Sequence, residues 1–257
     1  MGEITDYIDV AQVTLYGFFA FFAFLVFYLR REDKREGYPL LNDRSGLVMV
    51  QGFPAMPQAK RFVLQDGHEV YAPQTTHEPA RTGLMASAPW PGAPLMPTGN
   101  PLVDGVGPAS WAAREDKPEF TWEGEPNIQP LSLVDGTSVD PNDRSPVGME
   151  VIAADGKVAG MVREVWTDRA EPQIRYLEVE TTPTNGGGRH VLVPMPFVRV
   201  DQRGGYVKVR ALLASQFADV PPLKDPTTIT KLEEDKIQGY FGGGNMYATP
   251  ARSEPLL

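Results

Sequence analysis

The chain lacks cysteine altogether and has only three histidines among its 257 residues. Without thiols it has no disulfide, no thiolate nucleophile and no sulfur-ligated metal. The histidines are His68, His77 and His190, and no two of them show the i, i+4 spacing of paired ligands on a helix. We therefore expect no metal site and no histidine-based catalytic dyad, although carboxylates alone could still bind a hard cation.

Positive charge is also scarce, because 24 Lys and Arg stand against 33 Asp and Glu and leave a net charge of −9. This balance argues against a nucleic-acid partner, which needs a basic face. Glycine and proline, in contrast, are abundant at 25 residues each. Such numbers predict a long irregular stretch within the chain.

Charge is missing entirely from the twenty residues Val10–Leu29, which read VAQVTLYGFFAFFAFLVFYL. A helix of this length spans about 30 Å, the thickness of the hydrocarbon core of a bilayer. A helix is also the only single segment that satisfies its own backbone there. The sequence therefore predicts a transmembrane helix at residues 10–30. Its aromatic side chains could contact a pigment or simply face lipid, and the sequence does not choose between these.

The charges on either side of the apolar stretch predict its orientation. Acidic residues precede it, and four basic residues follow it, namely Arg30, Arg31, Lys34 and Arg35. The positive-inside rule then places residues 1–9 in the periplasm and the rest of the chain in the cytoplasm. A cleaved signal peptide would start with basic residues, and a buried core helix would show a polar face. We expect the four basic residues and Tyr38 to lie at the lipid headgroups.

Residues 31–145 read as an extended segment rich in proline and glycine. The thirteen prolines from Pro54 to Pro130 exclude a long helix. Strand signals at Arg61–Leu64 and Glu69–Ala72 flank an Asp-Gly turn and predict a hairpin. The stretch Ala88–Trp111 carries too many apolar residues for a disordered linker. We interpret it as an extended strap that lies on another surface, most readily that of a partner protein.

Residues 146–221 change to short alternating strands without helices between them, a pattern typical of a small β-barrel or sandwich. The predicted strands are Val147–Ala153, Lys157–Trp166, Gln173–Glu180, His190–Pro194, Phe197–Val200 and Tyr206–Ala211. A short helix at about Leu212–Phe217 closes this region. A capping box at Thr230 then predicts a helix over Lys231–Phe241, which ends at the following three glycines.

Four long motifs in this chain resemble the H subunit of the photosynthetic reaction centre of purple bacteria. They cover Tyr28–Leu40, Pro97–Trp111, Val165–Glu180 and Leu232–Pro250, in the order of the family. The resemblance implies a single N-terminal transmembrane helix plus a mainly-β cytoplasmic domain. That domain would contain a small PRC-type β-barrel at residues 146–221 and a C-terminal helix and tail at 222–257.

The resemblance also implies a role without catalysis of its own. The H subunit caps the L and M subunits on the cytoplasmic side of the photosynthetic inner membrane, shields the quinone sites and helps to conduct protons to the secondary quinone. Bacteriochlorophyll, bacteriopheophytin, quinones and a non-haem iron would be held by other subunits of the complex. Membrane lipids are further expected partners, and a light-harvesting antenna and a cytochrome subunit remain open.

Candidate proton-transfer residues follow from the same resemblance. Asp168 and Glu171 match acidic residues on the loop that faces the secondary quinone, and Arg175 matches the neighbouring arginine. Glu119 matches an acidic residue further along the path, and Glu233 matches one on the C-terminal helix. From the residues alone, close carboxylates and guanidiniums form either a coupled titrating cluster or an ordinary ion-pair network.

One departure from the family concerns the place where protons are taken up. Some members carry two surface histidines where this chain has Glu123 and Glu125. These two glutamates are therefore candidate proton acceptors at the surface, and the usual uptake site is in doubt.

Two other function classes compete with this interpretation. A membrane-anchored PRC-barrel adaptor could use the same elements to recruit a different protein. A carboxylate-pair hydrolase could use Asp168 and Glu171, but no nucleophile motif supports it.

Overall fold

The computed structural model describes residues 3–5, 8–38, 40, 52–65, 67–73, 83–90, 93–183 and 187–253. The chain divides into two compact units. The first contains residues 1–80 and 89–93, and the second contains residues 81–88 and 94–257. The predictions at His77, at Asp66 of the hairpin turn and at residues 254–257 of the tail lie outside the described residues.

The first unit is built on one long helix, α1, at Val10–Glu32. The Asp9 side chain caps it by accepting a hydrogen bond of 2.7 Å from the backbone N–H of Gln12. None of its residues is buried, and with the 3₁₀ turn that follows it is long and apolar enough to cross a membrane. The predicted N-terminal span is confirmed as an apolar helix. The short strands β1 (Glu3–Thr5) and β2 (Ile8–Asp9) pair ahead of it.

The segment after α1 is held by the basic residues at the end of the helix. The Lys34 amine donates to the carbonyls of Gly52 at 3.0 Å and Pro54 at 2.5 Å. The Arg35 guanidinium donates to the carbonyls of Gln58 at 2.8 Å and Ala72 at 2.9 Å. The predicted hairpin is present in the same unit, formed by strands β3 (Lys60–Val63) and β4 (Glu69–Ala72).

The second unit begins at Arg81 and includes the predicted strap except for residues 89–93. Strand β5 (Leu84–Ala86) precedes the strap and pairs with β6 (Leu95–Pro97), which is followed by the single-turn helix α2 (Pro101–Asp104) and a 3₁₀ turn at Gly107–Ala109. Leu102, Val106 and Ala109 of the strap are buried, whereas the side chains of Met85, Leu95 and Val103 are exposed. The chain itself therefore covers some of the apolar residues of the strap and leaves others exposed.

The main sheet has seven strands, namely β7 (Ile128–Pro130), β8 (Glu150–Ile152), β9 (Val158–Asp168), β10 (Gln173–Thr181), β11 (His190–Pro194), β12 (Val198–Asp201) and β13 (Tyr206–Val209). They lie in the order β11-β10-β9-β8-β13-β12, with β7 paired to β9. Strand β13 pairs with β8 in parallel, and the other pairs are antiparallel. The sheet confirms the mainly-β prediction, although β7 was not among the predicted strands.

Two helix predictions in this unit need correction. The helix expected at Leu212–Phe217 is a 3₁₀ turn at Ala214–Asp219. The C-terminal helix α3 runs over Lys231–Tyr247, through the three glycines that were expected to end it at Phe241. A Cβ at Gly243 would overlap Ala109, and one at Gly244 would overlap Leu212 and the carbonyl of Ala211. These glycines let the helix approach its neighbours closely, and that packing outweighs the poor helix propensity of glycine.

Candidate functional site

The candidate site centres on the loop that joins β9 to β10. Asp168 ends β9, and its side chain is buried. Its Oδ1 accepts hydrogen bonds of 3.0 Å from the backbone N–H groups of Ala170 and Glu171. Its Oδ2 lies 3.9 Å from Nε of Arg175. The loop geometry thus fixes a carboxylate next to a guanidinium at the ends of strands β9 and β10.

Glu171 stands on the exposed side of the same loop. Its Oε2 accepts a hydrogen bond of 3.0 Å from the side-chain amide of Gln173. The loop therefore brings together one buried carboxylate, at Asp168, and one exposed carboxylate three residues later. An exposed group can exchange a proton with water, and a buried one can pass it inward.

A second segment, residues 119–129, lies along this loop. The backbone N–H of Arg169 donates to the carbonyl of Asn127 at 2.9 Å, and the N–H of Ala170 donates to the Asn127 side chain at 3.1 Å. The Arg169 guanidinium reaches Oε1 of Gln129 at 3.1 Å and Oε2 of Glu125 at 3.8 Å. The structure thus joins Glu125 to the loop of Asp168 and Glu171 through one arginine.

The tip of this second segment is a tight exposed turn. The backbone N–H of Thr121 donates to the carbonyl of Glu125 at 2.7 Å, and Gly124 takes the positive φ of 86° that the turn requires. Glu119 and Glu123 are exposed there, and Trp122 is 97% exposed. Glu123 and Glu125 stand where some family members carry histidines. Glu125 lies 3.8 Å from Arg169, whereas Glu123 is exposed at the tip of the turn.

Glu233 has a structural task at the start of α3. Its carboxylate accepts hydrogen bonds from the backbone N–H groups of Thr230 at 2.8 Å and Lys224 at 2.7 Å. The Thr230 hydroxyl in turn accepts from the N–H of Glu233 at 3.1 Å. This is the predicted capping box. Because both carboxylate oxygens bind backbone donors, Glu233 anchors the helix.

The next residue, Glu234, is a candidate that the sequence reasoning missed. Its side chain is buried, and its Oε2 accepts a hydrogen bond of 3.0 Å from the hydroxyl of Tyr176. Burial raises the pKa of Glu234, against the opposing effects of the Tyr176 hydrogen bond and the charges of Arg175 and Arg114; the charge of Glu119 adds to the rise. A carboxyl group with a raised pKa can carry a proton closer to neutral pH.

A signal for Glu234 was present in the sequence. It lies three residues before Ile237 and seven before Phe241, and all three are buried on one face of α3. Residues three, four and seven apart share a helix face. The apolar periodicity of α3 therefore places Glu234 on the buried face, as it does Glu233, and only the hydrogen bonds of the fold show that Glu234 is the carboxylate that reaches the sheet.

The four basic residues divide into one pair in the last turn of α1 and one pair in the 3₁₀ turn that follows it. Arg30 and Arg31 are exposed, and Arg30 lies 3.7 Å from Asp33. Lys34 is buried on the carbonyls of residues 52 and 54, and its amine lies 5.4 Å from the ring centroid of Tyr38. Arg35 pairs with Glu32 at 2.9 Å. Of these four residues, only Arg30 and Arg31 have exposed side chains.

Within the described parts of the chain, no group of three or more His, Asp or Glu side chains is arranged to hold a metal ion. The acidic residues of the site are instead interleaved with Arg169, Arg175 and backbone N–H donors.

One helix long and apolar enough to cross a membrane, followed along the chain by a seven-stranded sheet, defines the class as a mainly-β protein with one candidate membrane-spanning helix. The domain described as the PRC-barrel domain matches residues 142–214. The family described as photosynthetic reaction centre, H-chain N-terminal region matches residues 2–133. The chain belongs to the photosynthetic reaction centre H-chain family. That family works in a complex with L and M subunits, and pigments are carried by other subunits of the complex.

Proposed function

We propose that this H subunit caps the cytoplasmic side of the L and M subunits, shields the quinone sites and conducts protons to the secondary quinone. The observation that carries the proposal is the loop in which buried Asp168, exposed Glu171 and Arg175 come together. A quinone below a protein cap must receive its protons from water. Each transfer must be short, so ionisable groups and waters must form a chain.

The contacts of the loop suggest the order of groups in such a chain. Surface carboxylates at Glu123 and Glu125 attract protons, and Arg169 connects Glu125 to the loop. Glu171 then exchanges protons with solvent and with Asp168.

A second branch of the proposed proton path runs through the interior of the second unit. Glu234 and the hydroxyl of Tyr176 form a buried pair, and the charges of Arg175 and Glu119 act on the pKa of Glu234. Glu233 supports this branch by holding the start of the helix that carries Glu234. Glu119 and Glu234 thus extend the network from the loop toward α3.

The helix α1 anchors the subunit, and we expect its N-terminus to be periplasmic and the remaining chain to be cytoplasmic. Arg30 and Arg31 are exposed and suited to anionic lipid headgroups, with Tyr38 following in the turn. Lys34 and Arg35 contribute differently, because they hold residues 52–58 and the end of β4 at the helix end.

Purification of the tagged chain from native membranes in mild detergent tests the partnership. We expect a coloured complex that contains pigment, quinone and the L and M subunits. A colourless chain, free or bound to a different protein, would favour a membrane-anchored adaptor. The exposed apolar side chains of Met85, Leu95 and Val103 suit either kind of partner surface.

The variant Glu171→Gln tests the proton path, because it keeps the shape of the side chain and removes the titrating group. We expect the second electron transfer to the secondary quinone to slow, since that step is coupled to protonation, and primary charge separation to stay unchanged. Glu180→Gln is the matched control, because Glu180 lies at the other end of β10 and pairs with Arg163. Equal rates in both variants would contradict the proposal.

A further inference from the structure

A cavity of about 220 Å³ lies on the main sheet, outside the loop described above. One side is formed by residues of β9, β10 and β11, and the other by the segment that precedes α3. Its apolar wall includes Trp166, Leu192, Pro222, Leu223 and Pro226. An engineered apolar cavity of about 150 Å³ holds a benzene molecule, so this one has room for a single ring with a short arm.

Two polar side chains, Glu178 and His190, complete the lining of the cavity. The indole N–H of Trp166 donates to Oε2 of Glu178 at 2.8 Å, and Nδ1 of His190 lies 2.5 Å from Oε1. Because an ionised carboxylate only accepts hydrogen bonds, Nδ1 carries the hydrogen of the second contact. The Glu178 side chain is 18% exposed, so these two contacts fix a carboxylate in place beside an apolar wall.

The chemistry of this lining selects a ligand with a positive charge and an apolar body. A carboxylate offers about four lone-pair sites, and the two donors from the protein occupy only part of them. Burying a carboxylate against apolar groups is unfavourable unless hydrogen bonds or an opposite charge compensate it. An ammonium group would supply both, and its apolar body would remove the exposed surface of Pro222, Leu223 and Pro226 from water.

We infer that this cavity binds a small organic ammonium, whose N–H groups donate to Glu178 and whose apolar part packs against Pro222, Leu223 and Pro226. The site is independent of the proton-transfer role proposed for the loop of Asp168 and Glu171. An anionic ligand is disfavoured by the same fixed carboxylate, and a neutral ligand would leave its remaining acceptor sites without a charged partner.

Binding of benzylammonium chloride to the intact detergent-solubilised complex near neutral pH tests this inference, with calorimetry and ligand-observed NMR as readouts. Benzyl alcohol is the neutral probe of similar size. We expect benzylammonium to bind about tenfold more tightly than benzyl alcohol, the scale of a hydrogen bond to a charged group. No binding of benzylammonium, or equal binding of the two probes, would overturn the inference.

Two variants locate the site. Glu178→Gln keeps an oxygen acceptor for Trp166 and should weaken benzylammonium about tenfold while leaving benzyl alcohol unchanged. Glu180→Gln, two residues along the same strand and outside the cavity lining, should leave both probes unchanged. If Glu178→Gln does not fold, Leu223→Trp fills the cavity from the opposite wall and should abolish binding of both probes. Unchanged benzylammonium binding in Glu178→Gln, or in Leu223→Trp, refutes the assignment.

Discussion

The buried pair of Tyr176 and Glu234 is the most informative place to perturb this subunit. Tyr176 is only 1% exposed, and its hydroxyl lies 3.0 Å from Oε2 of Glu234. Tyr176→Phe removes the hydroxyl and leaves the ring, so it opens no cavity for a side chain. The change therefore removes the hydrogen bond to Glu234 together with the hydroxyl's contact with the side chain of Gln238.

The expected magnitude depends on the charge of Glu234. Where Glu234 is ionised, losing a hydrogen bond to a charged group lowers the free energy of unfolding by about 1.5–3 kcal/mol. Where it is protonated, the bond joins two neutral groups and the loss is about 0.5–1.5 kcal/mol. For a unit of this size, 1 kcal/mol corresponds to about 2–4 °C, so the larger loss lowers the Tm by about 3–12 °C.

The pH dependence has a definite sign. Burial raises the pKa of Glu234, while the Tyr176 hydrogen bond lowers it. As pH rises from the ordinary glutamate pKa to the raised one, the unfolded chain ionises first, so stability falls over that window and then levels off. In Tyr176→Phe the pKa rises further, and the fall should extend to higher pH.

Heat unfolding of the full chain in detergent, followed by circular dichroism over a pH series, measures both effects. Tyr206→Phe is the control, because the hydroxyl of Tyr206 bonds to Asp201 at the surface of a turn, and we expect little change from it. A Tyr176→Phe chain with the Tm of the wild type at every pH would refute the reasoning about this pair.

Three further predictions concern other parts of the chain. Gly243→Ala should lower the free energy of unfolding by about 1–3 kcal/mol in chemical denaturation, because its Cβ overlaps Ala109. Gly242→Ala should be neutral or stabilising, because its Cβ would make only ordinary van der Waals contacts. Flash-induced proton uptake should be less sensitive to micromolar Zn²⁺ than in relatives with the surface histidines, because carboxylates prefer harder ions. It should be more sensitive to salt, because salt screens the attraction of the carboxylates for protons. Strong Zn²⁺ inhibition that survives Glu123→Gln/Glu125→Gln would contradict this. Protease added to sealed cytoplasm-side-out vesicles should degrade the chain beyond about Arg35, and protection of that region would contradict the orientation.

Features with a local cause could be predicted from the sequence. The uncharged run Val10–Leu29 could be predicted as a helix because a segment that crosses a bilayer must satisfy its own backbone, and the capping box at Thr230 starts α3 because its hydrogen bonds join residues three apart. The hairpin of β3 and β4 follows from turn chemistry in the same way.

Features that depend on contacts distant in the sequence could not be predicted. The glycines of α3 continue the helix because Ala109 and Leu212 pack against them. Lys34 is buried because carbonyls eighteen and twenty residues later accept its hydrogens. The loop of Asp168 and Glu171 was found from a resemblance, but its link to Glu125 through Arg169 is visible only in the fold.

The most direct test of proton delivery through this subunit is flash-induced proton uptake by the complex that carries Asp168→Asn/Glu171→Gln. A pH-sensitive dye follows the uptake, and quinone absorbance follows the second electron transfer in the same sample. The proposed path predicts that both processes slow together while primary charge separation keeps its wild-type yield. Proton uptake and second electron transfer at wild-type rates in this double variant would contradict it.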